Sequence, residues 1–139
     1  MCIRDRHTPN NVQGLEWFIN HVLPLLNSVN SNGKKVKLLI LGSNPAEQLV
    51  LLCAGVSDQV KIIANPANPY SYAANKIFIN PVQFSSGVNI KAVEMLFNAE
   101  KVVSTSAGIK GLPKHINNVF SIADTPNSCL LYTSDAADE

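Results

Sequence analysis

Five short apolar runs punctuate this chain, at 36–41, 60–64, 76–79, 102–103 and 119–123, and segments of helical spacing fall between them. That alternation constrains the fold more than any other feature. A strand, a helix and a second strand make one crossover unit, and a series of such units builds an α/β domain around a parallel sheet. The runs are apolar throughout instead of alternating with polar residues, as strands are when both faces are covered. The expected architecture is a parallel sheet with helices on both faces.

The segments between the runs carry their own signals. Leu15, Phe18, Ile19, Val22, Leu26 and Val29 recur at helical spacing. This predicts a helix from Asn10 or Asn11, either of which can cap it, to about Ser28. Pro24 falls inside it and removes a backbone donor, so a kink or boundary is expected there. A second helix is predicted over 46–54, with Pro45 in the favoured first position and Gly55 at its end. Asn32-Gly33 marks a sharp turn, 70–74 makes a single helical turn, 113–118 is a connection, and Asp124-Thr125-Pro126 opens a final turn. Trp17 reads as a packing residue. His21 has no second ligand at a metal spacing and reads as a surface or interface histidine.

The two ends stand apart from this pattern. Residues 1–5 can be encoded ATG TGT ATA AGA GAC, and residues 129–134 can be encoded TGT CTC TTA TAC ACA TCT. The second string is the reverse complement of a string that contains the first. Both ends therefore resemble one transposon-derived adapter read from its two strands, as expected of a fragment from a metagenomic sequencing library. Residues 1–6 and 129–139 are set aside as adapter-like, leaving residues 7–128 as one partial domain. That domain holds nine lysines and six acidic residues, a net of +3, too small and scattered an excess for nucleic acid binding. Of Cys2, Cys53 and Cys129 only Cys53 lies in it, inside an apolar run, and it reads as a core residue. No apolar stretch is long enough to span a bilayer. The length suits one domain with a modest core.

The chemistry concentrates in 80–112, NPVQFSSGVNIKAVEMLFNAEKVVSTSAGIKGL. A strand ends at Asn80-Pro81, a small-residue loop follows at Ser85-Ser86-Gly87, and a helix begins at about Val88. A second strand then leads to a second small-residue loop at 104–108. Both loops sit at the carboxyl ends of strands, the edge where open parallel sheets bind ligands. Gly87 lets a ligand come close to the backbone, Ser85 and Ser86 offer hydroxyls, and the helix start adds unpaired N–H groups and a dipole. A phosphate or pyrophosphate suits that place. Glu94 lies about 10 Å further along the helix at ~1.5 Å per residue and leans back toward its start. Its carboxylate can accept hydrogen bonds from a diol such as a ribose. On the residues alone the same loop also fits an ordinary cap, with Lys91 and Glu94 as an i,i+3 surface pair.

Taken in order, these segments resemble the C-terminal, donor-binding domain of retaining GT-B glycosyltransferases, the family-four group also called glycosyl transferases group 1. Four marks carry the likeness: Pro9-Asn10-Asn11 before a helix with Trp17-Phe18 and Pro24; a strand over 37–42 ending in glycine; 77–81 followed by Gly87, Lys91 and Glu94; and Val102-Val103-Ser104-Thr105 followed by Gly108, Gly111 and Leu112. The resemblance covers nearly all of residues 8–126. It implies a Rossmann-like fold and transfer of a sugar from a nucleotide-diphosphate sugar to an acceptor hydroxyl, with this part binding the donor and no metal or cofactor required. It implies that Glu94 holds the ribose hydroxyls and that Gly87, with the adjacent amides of Ser86 and Val88, meets the pyrophosphate and sugar. The donor-binding set is thus Ser85, Ser86, Gly87, Val88, Lys91 and Glu94, and the catalytic residues stay unassigned. The loop near Ala64-Asn65 falls where the family holds the base.

There are departures. Ser86 stands where many members carry a first glutamate, Met95 follows Glu94 in place of alanine, and Ala99-Glu100-Lys101 replaces G-x-P. The family's basic pair and its acceptor-binding N-terminal domain lie upstream of Asn10, so the fragment alone is expected to be inactive and its parent cytoplasmic or peripheral to the membrane. A nucleotide-sugar epimerase of the same fold is the alternative, with His115 as its nearest histidine. A non-catalytic Rossmann-like binding module is a third reading, but Gly42-Ser43-Asn44-Pro45 lacks the expected G-x-G-x-x-G.

Overall fold

The computed structural model of the chain describes residues 2–6, 9–29, 33, 35–43, 45–72, 76–85 and 87–133. Among these residues, six parallel strands form one sheet in the order β3-β2-β1-β4-β5-β6. They are β1 (Cys2–Arg6), β2 (Leu38–Ser43), β3 (Val60–Ala64), β4 (Ile77–Asn80), β5 (Lys101–Ser104) and β6 (Ser121–Ile122). This is the strand order of a doubly wound, Rossmann-like domain.

Two-sided burial follows from the alternation of side chains along each strand. Leu38 and Ile40 join one core with Ile77, Ile79 and Val103, while Leu41, Phe78 and Val102 join the other. The first core is closed by α1 (Pro9–Trp17), the π-helical segment Phe18–Val22, α2 (Leu23–Val29), α3 (Glu47–Ala54) and α6 (Pro126–Thr133). The second is closed by α4 (Ile90–Asn98), through Ala92 and Met95, and by α5 (Lys114–Asn117), through the half-buried Ile116. The expected layering, helices on both faces of a parallel sheet, is the one found.

Local differences from the sequence reading have identifiable causes. The first helix has the boundary expected near Pro24, since α2 begins at Leu23. It widens one turn earlier, where the Leu23 N–H bonds the Phe18 carbonyl five residues back. A wider turn accommodates the proline ring, which otherwise meets the carbonyl four residues before it. That helix begins at Pro9, so Asn10 and Asn11 sit inside its first turn and are not its caps. The start of α4 is Ile90, two residues past the expected position. The final turn continues into α6: Thr125 and Ser128 bond each other's backbone amides reciprocally, and Pro126 follows in the first helical position.

The sixth strand, β1, was not among the five runs, because the sequence reading set residues 1–6 aside. Its backbone pairs with β2 from Cys2↔Leu39 to Arg6↔Ser43, and with β4 at Cys2↔Phe78. Parallel pairing uses backbone N–H and C=O groups that every non-proline residue carries. A segment of this length can therefore fill the slot whatever the origin of its codons. Behind it, α1 comes close to the sheet edge at Gly14, where a Cβ would stand 2.4 Å from the Pro81 carbonyl oxygen.

Cys53 and Cys129 are both buried, and burial pushes each thiol up to about 11. A raised thiol pKa means that the folded state resists ionisation. The associated stability is fully present below the ordinary thiol value of about 8.5 and is lost as pH rises through about 11. Both thiols should react slowly with iodoacetamide at pH 8 and rapidly in denaturant, and the denaturation midpoint should fall between about pH 8.5 and 11. Mass mapping of the alkylated positions and a pH series of urea melts check this.

Candidate functional site

Helices after neighbouring strands β1 and β4 leave the sheet toward opposite faces, α1 to the first core and α4 to the second. Such a divergence opens a crevice at the carboxyl edge of the sheet. A cavity of about 570 Å³ lies there, lined by Asn10, Asn11, Val82, Phe84, Ser85, Gly87, Val88, Asn89, Ile90, Lys91 and Glu94. Its size falls within the roughly 300–1,000 Å³ range of small-molecule sites.

The β4–α4 loop forms one wall. Val82 is buried, and Phe84, Val88 and Ile90 expose apolar surface at the rim. The Ser85 hydroxyl donates to the Gly87 carbonyl at 2.6 Å, so its proton closes the loop on itself and is not offered to the cavity as the sequence suggested. Ser86 lies outside the described residues. A Cβ at Gly87 would meet nothing within 4 Å, so neighbouring protein atoms do not demand glycine there. At the start of α4, Asn89 makes no side-chain cap hydrogen bond. The helix end therefore presents partial positive charge beside the loop.

Glu94 and Lys91 sit on the first two turns of α4. The Tyr70 hydroxyl donates to Glu94 Oε2 at 2.6 Å, and Lys91 Nζ donates to Asn11 Oδ1 at 3.0 Å, bridging the crevice from α4 to α1. Five of the six residues read from the sequence as donor-binding thus line one cavity: Ser85, Gly87, Val88, Lys91 and Glu94. The loop at Ala64-Asn65 does not line it. Asn65 has a positive φ of 51° and its N–H bonds the Gly42 carbonyl at 2.7 Å, at the end of β3, two strands from the crevice.

Sequence reasoning missed Asn10, Asn11 and Tyr70 as site residues. The two asparagines read as caps, and only the course of α1 turns them into the opposite wall. Tyr70 carries no local signal, since its partner is 24 residues away.

The loops after β4 and β5 are fastened together beneath the cavity. Thr105 Oγ1 donates to the Val82 carbonyl and accepts the Gly108 N–H at 3.1 Å. Asn80, fully buried, donates from Nδ2 to Ser104 Oγ at 3.2 Å and to the Gly108 carbonyl at 3.3 Å. Gly111 adopts a positive φ of 85°, and a Cβ there would press on Val88 Cγ2 at 3.1 Å.

The profile of the family described as "Glycosyl transferases group 1" matches residues 3–132. The chain belongs to that family. A protein of Klebsiella pneumoniae described as an "Uncharacterized 44.6 kDa protein in cps region" is 34% identical over 110 residues, covering 74% of this chain and 28% of that protein. The chain therefore spans little more than a quarter of that relative's length. Among the described residues, no helix is long and apolar enough to cross a membrane.

The glycines of the two loops should respond differently to substitution. Gly108→Ala places a methyl group 2.4 Å from Asn80 Nδ2 and 2.5 Å from Ser104 Oγ, both held in a buried network, and should cost about 1–3 kcal/mol. Gly87→Ala meets open space and should leave stability within about 1 kcal/mol of the parent. Urea melts of the two variants side by side measure the contrast.

Proposed function

We propose that this chain is the donor-binding part of a retaining GT-B glycosyltransferase, and that the crevice between β1 and β4 holds a nucleotide-diphosphate sugar. The full-length parent would transfer the sugar to an acceptor hydroxyl. The observation that carries the reading is the joint placement of the Gly87 loop, the α4 N-terminus and the Glu94 carboxylate around one cavity of about 570 Å³. A diphosphate suits the loop and helix end, where backbone N–H groups and the dipole favour negative charge. A ribose diol suits Glu94, because an ionised carboxylate only accepts hydrogen bonds and a diol donates two. In the transfer step, charge builds on the departing diphosphate, and fixed dipoles aimed at it lower the barrier. Lys91, on the same helix and at the same cavity, adds positive charge to that wall. Residues 7–128 hold the donor-binding residues in this reading.

Calorimetric titration of the whole chain with UDP and GDP tests the site. Saturable binding should weaken about tenfold or more in Glu94→Ala, the scale of a lost hydrogen bond to a charged group. Affinity unchanged by that substitution would move the site elsewhere. The chain by itself should show no sugar transfer in a donor-turnover assay, since an acceptor-binding domain is part of the proposed mechanism; measurable transfer would refute the division of labour.

A further inference from the structure

Glu94 is held by a residue from a different part of the chain. Tyr70 lies in the 3₁₀ turn Pro69–Tyr72. Asn68 fixes that turn from both its groups: its Oδ1 accepts the Tyr70 N–H at 3.1 Å, and its carbonyl accepts the Ser71 N–H at 3.2 Å and the Ser71 hydroxyl at 2.8 Å. The Tyr70 ring meets Phe78 of β4 edge-on, with centroids 6.2 Å apart and planes at 76°. Phe78 is fully buried, so the ring rests on a rigid support. Backbone anchoring and ring packing together set where the hydroxyl sits, 2.6 Å from Glu94 Oε2.

We infer that Tyr70 is a positioning residue for recognition of the nucleotide ribose, acting through Glu94. A glutamate side chain loses substantial rotamer freedom when it is fixed, and a ligand that must fix it loses affinity accordingly. A tyrosine hydroxyl already bonded to one oxygen removes that cost before the ligand arrives. It takes one of the roughly four acceptor sites that a carboxylate has. The tyrosine touches neither sugar nor phosphate in this arrangement; its effect reaches the ligand only through the carboxylate. The inference rests on the donor-site reading above.

The test compares UDP with 2′,3′-dideoxy-UDP on the whole chain, in the parent, Tyr70→Phe, Glu94→Gln and the double variant. Tyr70→Phe keeps the ring against Phe78 and removes only the hydroxyl. The expected result is UDP binding weakened roughly three- to tenfold by Tyr70→Phe, the range of one hydrogen bond to a charged group after partial compensation. Dideoxy-UDP should bind the parent and Tyr70→Phe alike, and Tyr70→Phe should have no further effect in the Glu94→Gln background. Equal weakening of both nucleotides would make Tyr70 a structural fastener and overturn the inference. Unchanged UDP affinity in Tyr70→Phe, with affinity lost in Glu94→Gln, would overturn it while sparing the ribose role of Glu94. If the parent does not prefer UDP over the dideoxy form, or binds neither at millimolar concentration, the ribose reading falls and this inference with it.

Discussion

Burial of the sheet on both faces is the constraint on which everything else in this molecule depends. A strand such as Leu38–Ser43 sends Leu38 and Ile40 into one core and Leu41 into the other. Neither face can be left to water, so helices must cross back and forth over both. That requirement forces long crossovers, parallel pairing and a common carboxyl edge for all the βα loops. It also forces a place where the winding reverses. Here the reversal falls between β1 and β4, and the crevice it opens holds the loops with the glycines, serines and asparagines.

The site gains definition from what lies under it. The two loops that approach the crevice from β4 and β5 are joined through Thr105, Asn80 and Gly108, in a region without solvent to compete for the bonds. Buried hydrogen bonds of this kind are costly to leave unmade, so they hold one geometry. Gly111 then packs against Val88, tying the second loop to the rim of the cavity. Above this base the walls come from distant parts of the chain. Asn11 bridges to Lys91, and Tyr70 bridges to Glu94. The functional reading of the crevice as a donor site is chemically economical, since one helix carries both the dipole for a diphosphate and the carboxylate for a diol.

Much of the architecture was legible in the linear order of residues. Apolar runs such as 76–79 and 102–103 have no polar alternation, which implies strands covered on both sides, and β4 and β5 are buried so. The small-residue loop at 85–87 before a helix carrying Lys91 and Glu94 pointed to a ligand site at the carboxyl edge, and the cavity lies there. The errors were also physical. A side-chain oxygen at a helix start reads as a cap, yet Asn10 and Asn11 fall inside the first turn, after Pro9, and line the crevice instead. Ser85 reads as a ligand donor, yet its hydroxyl proton is spent on Gly87.

The sequence by itself determined the layering, the positions of five strands and the residue types at the carboxyl edge, because periodicity and glycine placement are local properties with local physical causes. Only the tertiary structure decided which walls meet. Nothing within a few residues of Tyr70 indicates that its hydroxyl meets Glu94, and nothing near Asn11 indicates Lys91, 80 residues on. Nor does local spacing decide that Ala64-Asn65 lies away from the cavity. Those pairings depend on strand order, and strand order is set by how all the helices share the two faces of one sheet.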